Sequence, residues 1–256
     1  MGAGPTVDPR ADRIEQLRRR MDAIPARSAG PPRLTPVEPA APDPARTPPS
    51  SLRTLPVPAP LAQLLPHGGL VRGSVVQIAG AASLKAGLIA SVTGAGGWAA
   101  VVGCPDLGLL AAAEMGADLS RCAVIPNPGE DPVAVAAVLV DGLDLVVLSL
   151  GDLNAPPSRV RAVTARARRN GTVLVVDGQW PNVDLRLGAK VSRYKGLGRA
   201  HGRVTGIDLD VEATPRGQLP HRAQVTISGS RGVAAWTTAE AEVPASHRES
   251  TLRIAQ

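Results

Sequence analysis

Residues 75–93, VVQIAGAASLKAGLIASVT, decide the fold that the sequence predicts. The apolar run at 75–79 predicts a β-strand, Gly80 predicts a tight turn, and a helix is expected from near Ser83. This is the strand–loop–helix arrangement of a phosphate-binding loop, whose sequence pattern is G-x-x-x-x-G-K-[ST]. The stretch therefore indicates an α/β protein with a parallel sheet.

The same stretch lacks the reactive residues of that loop. Counted from Gly80, the second glycine, the lysine and the hydroxyl residue should be at 85, 86 and 87, where the sequence has Lys85, Ala86 and Gly87. Counting from Lys85 also fails, because both glycine positions and the hydroxyl position hold other residues. Neither register supplies both the lysine for the phosphates and the hydroxyl for Mg²⁺. Gly80, Ser83 and Lys85 thus form a degenerate nucleotide site; Lys85 could contact an anion at the helix N-terminus, but a surface lysine is the favoured interpretation.

The composition is that of one sizeable core with additional segments. The chain has 256 residues, of which 44% are hydrophobic and 2% aromatic, with no Phe. A net charge of +6 favours a polyanionic partner, nucleic acid first. Cys104 and Cys122 have neither metal-ligand spacing nor a disulfide pattern. Without a signal sequence or a long apolar run, we expect a cytoplasmic protein that binds no membrane, metal or cofactor.

Four segments follow from the patterning. Residues 1–25 contain an amphipathic helix, which Asp8 and Pro9 begin and Pro25 ends. Its narrow apolar stripe is a candidate partner-binding surface, made of Ile14, Leu17, Met21 and Ile24. Residues 26–60 are a proline-rich linker, residues 61–236 are the core, and residues 237–256 are a polar tail.

The core alternates strands with helices. Strands are expected at 75–79, 98–103, 122–125, 143–150 and 172–176, with helices at 61–65, 84–93, 107–116, 132–140 and 158–169. Continuous apolar strands alternating with helices predict a mainly parallel sheet covered on both faces. Alternating strands at 204–212 and 223–228 then predict an antiparallel C-terminal extension.

A basic stretch, residues 185–203, which its glycines should make flexible, is the main candidate for a DNA contact. It has no acidic residue, and cations can neutralise phosphates while a tyrosine stacks on an unpaired base. A solvated loop or a surface for an acidic protein is the alternative. The candidates are Lys190, Arg193, Tyr194, Lys195, Arg199 and Arg203.

The chain resembles the RecA ATPase core in GGLVRGSVVQIAG (68–80) and LDLVVLSL (143–150). The segments AVVGCPDLGLLAAAEMGADLSRCAVIP (100–126) and YKGLGRAHGRV (194–204) resemble RecA-like mutagenesis accessory proteins of the ImuA family, with the actinobacterial ImuA-prime branch the best match. The resemblance covers about residues 60 to 230. It implies a RecA-like core with a mainly parallel sheet, and a DNA-facing loop near the basic stretch.

The resemblance also implies that the catalytic positions are changed. The place of the carboxylate that positions Mg²⁺ is Ser149, and the place of the general base is followed by Cys104 and Pro105, with Asp106 as a displaced alternative. Asp177 and Gln179 lie where active members have a nucleotide-sensing residue. Phosphoryl transfer depends on positioning and on charge stabilisation, so these losses together predict a protein that is not an enzyme.

Three functions are consistent with the sequence. The first, implied by the resemblance, is a non-catalytic adaptor in SOS-induced DNA-damage tolerance and error-prone translesion synthesis. Its partners would be an inactive, ImuB-like Y-family polymerase homologue and an error-prone C-family DNA polymerase, with RecA, single-stranded DNA and a second copy of the chain as further candidates. The alternatives are a nucleotide-binding, recombinase-like ATPase and a RecA-like inhibitor of cell division.

Overall fold

The structure is a computed structural model and describes residues 53–151, 153–197 and 202–239. The predicted N-terminal helix, with Ile14, Leu17, Met21 and Ile24, lies outside the described residues, as do Arg199 and residues 240–256 of the predicted tail. No helix in these described ranges is both long enough and apolar enough to cross a membrane.

The described residues form eleven strands and five helices, most of them where the sequence predicts them. The elements up to the strand expected at 172–176 are β1 (Thr54–Leu55), α1 (Ala59–Ala62), β2 (Leu70–Val71), β3 (Val75–Gly80), α2 (Ala82–Gly94), β4 (Ala99–Val102), α3 (Leu109–Glu114), β5 (Cys122–Ile125), α4 (Pro132–Leu139), β6 (Leu145–Ser149), α5 (Pro157–Asn170) and β7 (Val173–Asp177). The C-terminal strands are β8 (Leu185–Leu197), β9 (Gly202–Pro215), β10 (His221–Ser230) and β11 (Val233–Thr238).

Nine strands make one sheet in the order β11-β10-β9-β8-β3-β7-β6-β4-β5. In this order, each neighbouring pair in the run β8-β3-β7-β6-β4-β5 is parallel, whereas each neighbouring pair in the run β11-β10-β9-β8 is antiparallel. The predicted fold class is confirmed: a mainly parallel sheet between helices, with an antiparallel C-terminal extension.

A hydrophobic core lies on each face of the sheet, as continuous apolar strands require. On one face, Leu84, Leu88 and other residues of α2 pack with α1 against β3, β7 and the antiparallel strands. On the other face, α4 and α5 pack against the alternate residues of β3, β6 and β7. No helix of this second layer covers the antiparallel strands, so their outer face keeps its polar side chains.

The folded core begins before residue 61, the boundary predicted from the proline content. Thr54 and Leu55 pair with Val71 and Leu70 in a two-stranded sheet, and Leu55 is only 2% exposed. The prolines here do not mark a linker, because Pro60 lies in the first turn of α1, where its missing N–H breaks no helix bond. At the other end, β11 extends the core to Thr238.

The basic stretch 185–203 was expected to be flexible, and this expectation is wrong over residues 185–197, which form strand β8. Leu185, Leu187 and Ala189 point into the core, and Arg186 and Lys190 point out. This period of two is the pattern of a half-buried strand. Gly188 obscures the pattern, because it removes a side chain from the outward face between Arg186 and Lys190.

Candidate functional site

The degenerate nucleotide site lies at the carboxyl ends of β3, β6 and β7, the edge at which open α/β sheets bind ligands. Gly80 ends β3, Ser149 ends β6, and Asp177 ends β7 and pairs with Ser149 in the strand register. Lys85 lies in α2, the helix that follows the short turn after Gly80. The expected residues are therefore brought together at one edge.

The loop between β3 and α2 is too short to enclose a phosphate. A phosphate-binding loop has four residues between its two glycines, and only then the lysine that opens the helix. Here Ala81 alone separates Gly80 from the first residue of α2. A phosphate would have no ring of backbone N–H groups around it at this turn.

The short turn is also held against β8. Gly80 has φ of +90°, and a Cβ built on it would lie 2.0 Å from the carbonyl oxygen of Ala189. That same oxygen accepts a hydrogen bond of 2.9 Å from the backbone N–H of Ala81. Gly80 is thus required for close packing of two backbones, not for access to a ligand.

Lys85 is paired inside the protein. Its Nζ donates to Oδ2 of Asp177 at 2.6 Å, and the Lys85 side chain is 16% exposed. Lys85 is therefore not the surface lysine that the sequence suggested, and Asp177 accepts from this lysine. The ammonium group of Lys85 is therefore neutralised by a carboxylate of the same chain.

The side chains near this pair include a thiol, a hydroxyl and an exposed carboxylate. Burial raises the pKa of the Cys104 thiol, although the charge of Lys85 opposes this, so the thiol stays protonated at neutral pH. Ser149 carries no carboxylate, and Asp106 is exposed in the turn that follows Cys104. Nowhere in the described parts of the chain do three His, Cys, Asp or Glu side chains group so that they could hold a metal ion.

Gly87, at the position where one register expects the metal-binding hydroxyl, packs against β11. A Cβ on Gly87 would lie 2.7 Å from Cζ2 of Trp236, so the indole packs on the helix backbone itself. The Trp236 Nε1 donates to Sδ of Met115 at 3.4 Å. The C-terminal strand therefore covers the helix that would hold Mg²⁺ in an active enzyme.

The candidate DNA residues lie on an arm made by the outer halves of β8 and β9. Tyr194 is 54% exposed, Leu197 is 57% exposed and Val204 is 45% exposed. Arg193 and Arg203 are also exposed on this arm, whereas Lys190 lies nearer the core on the outer face of β8. The structure thus places cations and one aromatic ring on a projecting β-ribbon.

Acidic residues of β9 reduce the positive charge of the arm, which the sequence of β8 alone does not reveal. Lys195 Nζ is 2.9 Å from Oδ1 of Asp208, and Asp210 is opposite Lys190 in the register. Burial alone would raise the pKa of Asp208, but hydrogen bonds from Thr226 and Lys195 outweigh it and lower that pKa. Lys195 is consequently a structural partner of a buried carboxylate.

Comparison with known proteins places the chain in a family. A family model described as the MT3502 N-terminal domain matches residues 63–182. The chain is also 51% identical over 173 residues to the uncharacterized protein Rv3395c of Mycobacterium tuberculosis (strain ATCC 25618 / H37Rv), covering 62% of this chain and 83% of that protein. The chain belongs to the family of this mycobacterial protein.

Among solved structures, this chain is similar to the crystal structure of the RadB recombinase. The TM-score is 0.49 and the identity 17%, over 66% of this chain and 93% of that one. The likeness concerns the fold alone.

Two features of the site were not predicted from the sequence. The Lys85–Asp177 pair joins residues 92 positions apart, and no local pattern indicates which carboxylate a lysine will reach. Trp236 was assigned to the end of the core without a role. Its signal was present in Gly87, because glycine inside a helix often marks a close packing contact.

Proposed function

We propose that this protein is a non-catalytic, RecA-like adaptor in SOS-induced DNA-damage tolerance. It would act in error-prone translesion synthesis by holding an inactive, ImuB-like Y-family polymerase homologue and a C-family DNA polymerase together. The observation that supports this most is the closed nucleotide site: a one-residue turn packed on Ala189, with Lys85 bound to Asp177.

The loss of catalysis follows from the number of missing groups. In active phosphoryl-transfer sites, a loop, a lysine, Mg²⁺ and a positioned base all act on the same phosphate. Removing one electrostatic donor from an active site costs about a hundred- to a thousand-fold in rate. This chain lacks the loop length, the metal hydroxyl and the carboxylate at Ser149 together. A protein that keeps the fold without these groups would act through its surfaces, by binding other molecules.

Those surfaces include a candidate DNA contact on the β8–β9 arm. Exposed Tyr194 can stack on an unpaired base, and Arg193 and Arg203 can neutralise phosphates. Because Asp208 and Asp210 offset part of the charge, we expect modest affinity that falls with added salt. The adaptor would then contact single-stranded DNA at the arm while polymerases occupy other surfaces.

The direct test of the adaptor is a binding experiment with defined partners. The full chain would be co-expressed with the inactive Y-family homologue and with the C-family polymerase of its own organism, singly and together, and captured by a tag. Stable capture of either polymerase that survives nuclease treatment is the expected result. Failure to capture both polymerases, with each of them soluble, would contradict the proposal.

A second experiment tests the arm separately. Arg203→Ala and Tyr194→Ala should weaken binding of a fluorescent single-stranded oligonucleotide, and Arg203→Ala should also reduce the salt dependence. Arg161→Ala is the matched control, because Arg161 is an exposed arginine on α5, outside the arm. If the control weakens binding as much as the arm variants do, the DNA contact is not on the arm.

A further inference from the structure

A pocket of about 410 Å³ lies at the amino-terminal edge of the parallel strands, opposite the edge that carries the degenerate nucleotide site. It is formed where the glycine turn before β3 meets the end of α5, the start of β8 and the turn between β9 and β10. We call it the basal pocket. The residues used below are His67, Arg72, Arg168, Asp184 and Arg216, all of which line it.

The basal pocket has an excess of positive charge. Arg72, Arg168 and Arg216 line it, and Asp184 is the one carboxylate in its lining. Both oxygens of Asp184 are already engaged, because Oδ2 accepts from the Val75 N–H at 2.9 Å and Oδ1 accepts from Arg168 at 3.2 Å. The carboxylate therefore fixes the wall of the pocket and offsets the charge of Arg168, while Asp144 offsets that of Arg72, so the excess is the single charge of Arg216.

Two of the donors are available to a ligand. The guanidinium of Arg216 and the imidazole of His67 make no hydrogen bond or ion pair with the described part of the chain, and both residues are exposed. The backbone of Arg216 is nevertheless held in place, since its N–H donates to the Asp184 carbonyl at 2.9 Å. Arg72 is held from outside the pocket by Asp144, at 2.8 Å.

We propose that the basal pocket binds a small phosphorylated molecule. A guanidinium group binds phosphate oxygens with paired, charge-assisted hydrogen bonds, and the unpaired guanidinium of Arg216 shares the lining of one concave site with His67 and with two ion-paired arginines. The volume lies within the range of small-molecule pockets. A nucleic acid would instead need cations along an extended track, as on the β8–β9 arm. This site lies at the other end of the strands from Gly80 and Lys85. Its function is independent of the proposed adaptor role.

The test uses the purified full chain and inorganic pyrophosphate, measured by isothermal titration calorimetry at low salt. We expect saturable binding that Arg216→Gln weakens by about tenfold or more, because a hydrogen bond between charged groups is lost. Arg161→Gln removes the same charge from an exposed site on α5 and should leave binding unchanged. Far-UV circular dichroism and thermal unfolding would confirm that each variant is folded.

Three results would overturn the proposal. The first is the absence of saturable pyrophosphate binding to the folded wild-type chain. The second is an equal loss in Arg216→Gln and Arg161→Gln, which would indicate only a general effect of net charge. The third is a single-stranded oligonucleotide that binds through Arg216 while pyrophosphate does not, which would assign the pocket to nucleic acid.

Discussion

The Lys85–Asp177 ion pair allows a quantitative test of the closed nucleotide site. At 2.6 Å, with an effective dielectric constant of about 20, the attraction between the two charges is about 6 kcal/mol. Desolvation cancels much of this, because the side chains are only 16% and 36% exposed. We therefore expect a coupling free energy of about 1–2 kcal/mol between Lys85→Met and Asp177→Asn.

The assay is a double-mutant cycle measured by urea unfolding at neutral pH. The matched control is the Arg222–Glu212 pair, whose charged atoms are 2.7 Å apart but whose side chains are 75% and 44% exposed. Exposed pairs couple by about 0.2–1 kcal/mol, so the control cycle with Arg222→Met and Glu212→Gln should give the smaller value. A Lys85–Asp177 coupling no larger than the control would refute the reasoning that this pair is an internal structural element.

Three further predictions concern packing and pH. Gly80→Ala should lower the free energy of unfolding by more than Gly96→Ala, because both glycines have positive φ but only Gly80 is packed against backbone; urea unfolding of the two variants measures the difference. Gly87→Ala should cost about 1–3 kcal/mol by displacing Trp236, and the additional change Trp236→Leu should recover part of that loss in thermal unfolding. Because the pKa of Asp208 is lowered in the folded state, its stabilising effect is present above the unfolded pKa and is lost as pH falls below about 4. Asp208→Asn should thus flatten the acid end of a stability–pH curve; an unchanged curve would contradict the assigned role.

Much of the fold was predictable because its signals are local. The apolar runs of β3, β4, β6 and β7 are the continuous strands of a sheet that is buried on both faces, and their boundaries were found within a few residues. Strand β8 was missed because Gly188 interrupts its outward face and the register shifts after Val191. Strand β1 was missed because two residues paired to β2 leave almost no periodic signal.

The degenerate site was only partly predictable. The absent hydroxyl can be identified by counting along the motif, and the serine at 149 is implied by the resemblance to the RecA core; the structure places Ser149 beside Asp177 at the expected edge. The partner of Lys85 could not be identified, since Asp177 is brought to it only by the pairing of β3 with β7. The same limit applies to the arm, where the acids that offset its charge come from the neighbouring strand β9.

The central claim is that the nucleotide site of this protein does not turn over ATP. The most direct measurement is phosphate release by the purified full chain with ATP and Mg²⁺, in the presence and absence of single-stranded DNA. We predict no release above that of a buffer control under either condition. Magnesium-dependent release that disappears in Lys85→Met, with that variant still folded, would contradict the account.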